Sequence, residues 1–253
     1  MDQTTYEIES QIEQTHWWFV GRRKLFKHMI TELGLSPCAA VLDIGTSTGT
    51  NLRLLKEMGF TNVTGLDFHD EAIHWCAKKG LGAVQKGDIC NIPYPDESLD
   101  LVLATDIIEH VDNDNLALHE IHRVLKKNGR VLLTVPAFKS LWGRQDEVSQ
   151  HKRRYRKKEL QIKLEHAKLK NLECFYFNFL LFVPIWFVRQ LLKIFRIQVK
   201  SENQINFGLM NKVFGSIFIF DIFTARIVSP CFGVSILALA SRVDEPNNTE
   251  SLN

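Results

Sequence analysis

The chain is poor in several features that mark large protein classes. It has five cysteines among 253 residues, at positions 38, 76, 90, 174 and 231. No two form a CxxC pair and the number is odd. A zinc site built on thiolates and a disulfide framework are therefore both disfavoured, and a reducing, cytoplasmic setting fits. Long apolar runs are also missing: the longest covers 179–188, too short to cross a bilayer as a helix. The chain opens polar and acidic (MDQTTYEIESQIEQ), so no signal peptide is read. There is no internal repeat, no low-complexity tract and little net charge, only +2. That small sum hides a split. Residues 1–140 carry a balance of −5 and residues 141–253 one of +7. The acidic half argues against a nucleic-acid wrapper, whereas the basic half leaves an anionic partner or a membrane surface open. What is present is a core-forming composition, 45% hydrophobic and 24% charged, of a length that suits one large domain with an appended part.

Hydrophobic patterning predicts one helical stretch over 4–34 with an aromatic cluster, His16, Trp17, Trp18 and Phe19, in its middle. Strands follow at 40–44, 62–67, 83–86, 100–105 and 130–135, with helices at 50–58, 70–79 and 115–125 between them. Such alternation predicts a mostly parallel, doubly wound α/β sheet. Beyond Pro136 the pattern changes. A basic run, HKRRYRKK at 151–158, precedes a helix at 159–169 and a sixth strand at 172–177. Two apolar helices at 180–197 and 209–228 form an insertion before a seventh strand at 234–241. The polar tail from 244 reads as disordered.

The segment VLDIGTSTGT carries the strongest chemical signal. Gly45 and Gly49 sit in a tight turn between a buried strand and a helix N-terminus, where a ligand can approach the backbone and free N–H groups favour a negative group. Ligands of open α/β sheets bind at the carboxyl ends of strands. A dinucleotide fingerprint, GxGxxG, fails because its second and third glycines would be Ser47 and Thr50. A phosphate-binding P-loop fails because Gly49 is followed by Thr50 and Asn51. A structural turn without a ligand is the bland alternative.

Asp43-Ile44-Gly45-x-Ser47-x-Gly49 instead resembles the first motif of class I S-adenosylmethionine-dependent methyltransferases, with Ser47 in place of the middle glycine. The resemblance implies a seven-stranded Rossmann-like fold and a cofactor site built from Asp43, Gly45, Thr46, Ser47 and Gly49. It also implies Asp67 and Phe68 at the ribose, Asp88 and Ile89 at the adenine, and Thr105 and Asp106 beside the methionine portion. DLVLATDIIEHV and EIHRVLKKNGRVLLTVPA are similar to the small-molecule branch that includes ubiquinone and menaquinone biosynthesis methyltransferases. HWWFVGRRKLF and LWGRQDEVSQHKRRYRKKEL resemble a bacterial subgroup linked to cell-surface polysaccharide or lipid pathways. No Asn/Asp-Pro-Pro-Tyr segment ends strand four, which disfavours amino methylation of DNA bases.

The expected reaction is in-line transfer of an already electrophilic methyl group to a small-molecule or lipid-linked acceptor, so alignment and desolvation carry most of the work. His110, following Glu109, is the base candidate, with helix packing as its alternative. The pair could also ligate a divalent ion, but two ligands are too few and no metal is assigned. Acceptor contacts are expected from Trp17, Trp18, Trp142, His151, Arg154 and Tyr155, since aromatic and guanidinium groups suit an anionic substrate. An exposed basic helix start is the alternative for 151–158, and Arg22 and Arg23 are read as solvated rather than paired. The apolar insertion admits three roles: a cap, a homodimer interface, or a peripheral membrane contact over 180–228 with Arg189, Lys193 and Arg196 at the headgroups. The expected organisation is a helical lid over 1–36, a cofactor-binding core over 37–178, the insertion over 179–230, the last strand over 231–243 and the tail over 244–253. A non-catalytic interaction protein that retains the fold and cofactor is the rival reading, and an NAD-type oxidoreductase a weaker one.

Overall fold

A computed structural model describes residues 3–195 and 208–243. The expected tail over 244–253 and the headgroup contact at Arg196 lie outside those residues. Seven strands form one sheet: β1 (Val41–Ile44), β2 (Val63–Asp67), β3 (Val84–Lys86), β4 (Leu99–Thr105), β5 (Leu125–Pro136), β6 (Leu169–Phe177) and β7 (Ser235–Arg242). Their spatial order is β3-β2-β1-β4-β5-β7-β6. The first five pair in parallel, while β7 runs antiparallel between β5 and β6. The order reverses between β1 and β4, so the loop after β1 opens at the switch point where α/β sheets hold ligands.

Alternation along the strands distributes the core to both faces. Leu42, Val102 and Leu133 pack with α5 (Asp114–Val124) and α7 (Lys157–His166) on one side. Val41, Leu103 and Leu132 pack with α2 (Trp17–Glu32), α3 (Thr50–Glu57) and α9 (Gly208–Val228) on the other. The remaining helices are α1 (Gln3–Ile12), α4 (Asp70–Lys78), α6 (Arg144–Val148) and α8 (Phe182–Ile194). α9 therefore does two things: Phe218, Ile222 and Ala225 join the core, while Phe220, Phe223 and Ile227 face outward.

Three local differences from the sequence pattern have clear causes. The expected helix over 4–34 is broken at 13–16, because His16 caps α2 by accepting from the Trp18 amide. β5 begins at Leu125, five residues earlier than the pattern suggests, and the ladder with β4 shifts register around Leu99 and Leu101. α6 has no apolar period; it is held by Asp146, which accepts from the Gly143 amide at 2.7 Å.

Candidate active site

The loop after β1 is shaped by backbone conformation. Gly45 and Gly49 have φ of 76° and 86°, and a Cβ on Gly49 would lie 2.3 Å from Leu81 Cδ1. Ser47 shares the left-handed region at φ 47°, so the substituted middle position keeps the turn despite its side chain. Asp67, at the end of β2, organises this loop. Its Oδ2 accepts from the Ser47 amide at 3.0 Å and its Oδ1 from the His69 amide at 3.0 Å. Beneath the loop Asp43 is fully buried. Asn51 donates to Asp43 Oδ1 at 2.9 Å and to Thr105 Oγ1 at 3.0 Å, while Asp43 Oδ2 has no partner among the described residues. Burial pushes the Asp43 carboxyl up to about 7.

Two glutamates of the N-terminal segment close over this loop. Ser47 Oγ donates to Glu9 Oε2 at 2.9 Å. Glu13 is buried beside it, taking hydrogen bonds from Thr48 and, at 2.9 Å, from Lys79. Although burial works the other way, these donors hold the Glu13 carboxyl below its usual range. Tyr6 is buried next to Asp67 and Glu9, and burial followed by the Asp67 charge pushes its hydroxyl far up.

A cavity of about 480 Å³ runs from this loop towards α8 and α9. Gly45, Thr46, Ser47, Thr105 and Asp106 line one end; Trp17, Trp18, His110, His151 and Arg154 line its walls. Asp43 and Glu109 lie behind the lining. Gly49, Asp67, Phe68, Asp88 and Ile89 do not border the cavity either. Phe68 is 63% exposed, and Asp88 is an exposed turn residue whose Oδ1 accepts from the Cys90 amide at 2.8 Å. The cavity thus reaches only the residues expected at the methionine end of the cofactor, and Tyr6 of α1 is buried on the Asp67 side.

Several sequence expectations change here. Tyr155 is not a cleft residue. Its backbone bridges Ala137, which turns the ring into the core, where the hydroxyl donates to Asp114 Oδ2 at 2.8 Å. Trp142 is half-buried but outside the cavity lining. Arg22 is not solvated: it pairs with Asp106 at 2.6 Å, sits over the Trp18 and Phe26 rings, and is held inside the cleft. Arg23 donates to the Glu13 carbonyl. Arg189 does not reach a headgroup, because it is buried in the cavity wall and donates to the Leu141 carbonyl. Arg153 and Arg154 are likewise engaged. Arg153 pairs with Asp114 at 3.2 Å, and Arg154 grips Asp146 at 2.7 and 3.0 Å.

Asn178, which carried no sequence signal, adds to the site, and the expected Glu109 and His110 are strongly perturbed there. Asn178 follows β6 at φ 56°, fully buried, with neither end of its carboxamide partnered among the described residues, and it borders the cavity. Its amide and that of Leu180 donate to Asp221 of α9 at 2.6 and 2.8 Å, which fixes the entry to the insertion. Glu109 is fully buried, and neither oxygen has a hydrogen-bond partner among the described residues. Burial and the Asp106 charge push it well above the usual carboxylate range, against smaller pulls from its own backbone and Arg22. Burial, then the neighbouring His151, lowers His110 to about 4.

This fold and loop are those of a known class. Residues 42–133 match the methyltransferase domain family. The chain is 33% identical over 119 residues to a demethylmenaquinone methyltransferase of Lactobacillus johnsonii, covering 44% of this chain and 47% of that one. It is 31% identical over 109 residues to a sterol 24-C-methyltransferase of Schizosaccharomyces pombe, covering 40% and 29%. The matched part thus spans less than half of these curated relatives. Among solved structures, a chain from a Haloferax volcanii complex of a methyltransferase activator with a methyltransferase superposes with a TM-score of 0.65 at 17% identity, covering 97% of each chain. A methyltransferase dependent on S-adenosylmethionine from Archaeoglobus fulgidus gives 0.57 at 20% identity, covering 91% and 97%. Residues 42–133 thus match a methyltransferase domain, set in a Rossmann-like fold shared with solved methyltransferase structures.

The loop fits S-adenosylmethionine. Asp43 keeps a buried oxygen with no hydrogen-bond partner among the described residues, Ile107 packs where a Gly45 side chain would stand, and Gly45, Thr46 and Ser47 border the cavity. Among the described residues no helix is long and apolar enough to cross a membrane.

Proposed function

We propose that the chain methylates a largely apolar acceptor carrying a small polar group, with S-adenosylmethionine as donor. The observation that carries this reading is the composition of the cavity. Its polar groups lie at the Gly45–Asp106 end, along His110, His151 and Arg154, and at Asn178 and Arg189, while Trp17, Trp18, Leu181, Ile185 and Val188 form an extended apolar wall for the body of an acceptor. When bound, the cofactor would supply an electrophilic methyl group, with Gly45, Thr46, Ser47, Thr105 and Asp106 as the residues to hold its methionine end. The chain's part is positional. Asp67 rigidifies the loop through two backbone amides, Arg22 neutralises Asp106, and the aromatic wall excludes water. His110 is neutral at physiological pH and borders the cavity, so it can accept a proton from the acceptor. Its lowered pKa makes it a weak base, so the rate gain expected from it is at the low end of about 10²–10⁴-fold.

The helical segment over 1–36 acts as a lid in this reading, with Glu9 and Glu13 latching α1 to the loop. The insertion acts as a cap that also touches a membrane surface. α8 lines the cavity with Ile185 and Val188 and turns Val183, Trp186 and Phe187 outward, which gives a lipophilic acceptor a short route from bilayer to cleft. Labelled cofactor incubated with lipid extracts and, separately, with aqueous metabolite extracts tests the reading by mass spectrometry. A methylated lipid-soluble product is expected, and product confined to the aqueous extract contradicts it. Co-sedimentation with anionic liposomes tests the surface contact. Retention lost in a Trp186→Ser, Phe187→Ser variant supports it. A wild-type chain that stays in the supernatant, or elutes as a dimer through that face, removes it.

A further inference from the structure

Beside the cavity lies a cluster of which the proposed methyl transfer uses only His110. Glu109, His110 and His151 each present one ligand atom, and these atoms lie within 4.8 Å of one another. His151 Nε2 stands 3.9 Å from Glu109 Oε1. Ligands around a tetrahedral ion at ~2.1 Å stand about 3.4 Å apart, so closing the set needs only small side-chain shifts. Glu109 is fully buried, and neither oxygen has a partner among the described residues. A carboxylate so placed costs free energy unless something positive meets it.

The surroundings orient the two imidazoles as metal ligands are oriented. His151 Nδ1 is bound to Asp146 Oδ1 at 2.9 Å, which leaves Nε2 directed towards Glu109. Asp146 is itself held by Arg154 and the Gly143 amide. His110 has the Ser149 backbone as a hydrogen-bond partner, and its ring stands edge-on to His151 with centroids 4.7 Å apart. A carboxylate or carbonyl on the far nitrogen fixes the tautomer that ligates and strengthens the ligand. Both histidines border the cavity while Glu109 lies behind them, so an ion held here keeps its remaining positions open to whatever occupies the cavity.

We propose that Glu109, His110 and His151 form a binding site for a divalent first-row transition ion of the zinc type, open towards the acceptor end of the cavity. Two imidazoles and one carboxylate suit zinc, iron(II) or cobalt(II) better than magnesium or calcium, which prefer oxygen ligands throughout. In that position the ion would bind an acceptor oxygen and lower its pKa, a task His110 alone performs poorly. The ion's role at the acceptor rests on the methyl-transfer reading, and with the ion bound His110 serves as a ligand in place of the base; metal binding itself is tested separately from methyl transfer.

Titration of the metal-free full chain with Co²⁺, followed by visible absorption, tests the proposal. One equivalent is expected to develop d–d bands, and Zn²⁺ is expected to displace it. Glu109→Gln and His151→Ala should each weaken binding at least about tenfold, in line with the loss of a ligand or its support. Asp67→Ala, on the other side of the fold's switch point, should leave it unchanged. Circular dichroism establishes that each variant is folded. Should His151→Ala fail to fold, X-ray absorption of the wild-type Co²⁺ complex replaces it, with two imidazole nitrogens expected. Absence of stoichiometric Co²⁺ overturns the site, as does equal binding by the variants or a spectrum without imidazole. S-adenosylhomocysteine binding is measured in parallel, so a failed metal site and a failed cofactor site give different results.

Discussion

At the β1 end of the cleft the contacts are local in sequence: Gly45, Ser47 and Gly49 sit in one turn, and Asp67 reaches it from the adjacent strand. At the far end nothing is local. Trp17, Asn178, Arg189 and Phe214 come from four elements, and Trp17 is tied to α9 through Asn211 Oδ1, 194 positions away. The near end is a backbone device that tolerates few side chains. The far end is a side-chain device on a partly apolar cap. One end can therefore be common to many enzymes, while the other distinguishes this chain from its relatives.

Substitutions at the two ends should separate these properties. The largest effect is expected for Gly49→Val. Its φ of 86° and the Leu81 contact at 2.3 Å leave no room for a side chain. S-adenosylhomocysteine affinity should fall more than about 100-fold by calorimetry, with a lowered Tm. Asp67→Ala frees the Ser47 and His69 amides and removes the carboxylate proposed to accept from the ribose, so affinity should fall about 10–100-fold with the acceptor KM unchanged. Asn178→Ala should do the reverse. It should raise the acceptor KM about 5–10-fold while cofactor affinity and Tm hold or Tm rises, since an unsatisfied buried carboxamide is lost. A change in cofactor affinity on that substitution would blur the two ends into one.

The smallest effect is a pH dependence. Burial raises the Asp43 carboxyl to about 7 in the folded protein, whereas an unfolded chain titrates near ~4. The folded state therefore holds a proton that the unfolded state releases between those values. The stability this contributes is present below the lower pKa and lost as pH rises through the upper one. Asp43→Asn cannot ionise, so its Tm should exceed that of the wild type at pH 8 and match it at pH 4. Equal differences at both pH values would place the ionisation elsewhere.

The same contrast explains what the sequence disclosed. The parallel sheet and the cofactor loop were legible because short, nearly continuous apolar strands alternating with helices, and two glycines around Ser47, leave few alternatives. Glu9 and Glu13 were not, since acidic residues on an amphipathic helix usually face water; only the fold brings them onto Ser47 and Lys79. Tyr155 misled because its neighbours are charged, while a single bridge to Ala137 turns it inward. His151 looked like part of a basic run. Its partners Asp146 and Glu109 lie five and 42 positions away, a separation that no periodicity encodes.

The central claim is that the loop between β1 and α3 holds S-adenosylmethionine in a cleft that also takes an apolar acceptor. Calorimetric titration of the full chain with S-adenosylhomocysteine and, separately, with NAD tests it most directly. One-to-one binding of S-adenosylhomocysteine with no heat from NAD is predicted. Binding of NAD instead, or of neither, would contradict the account.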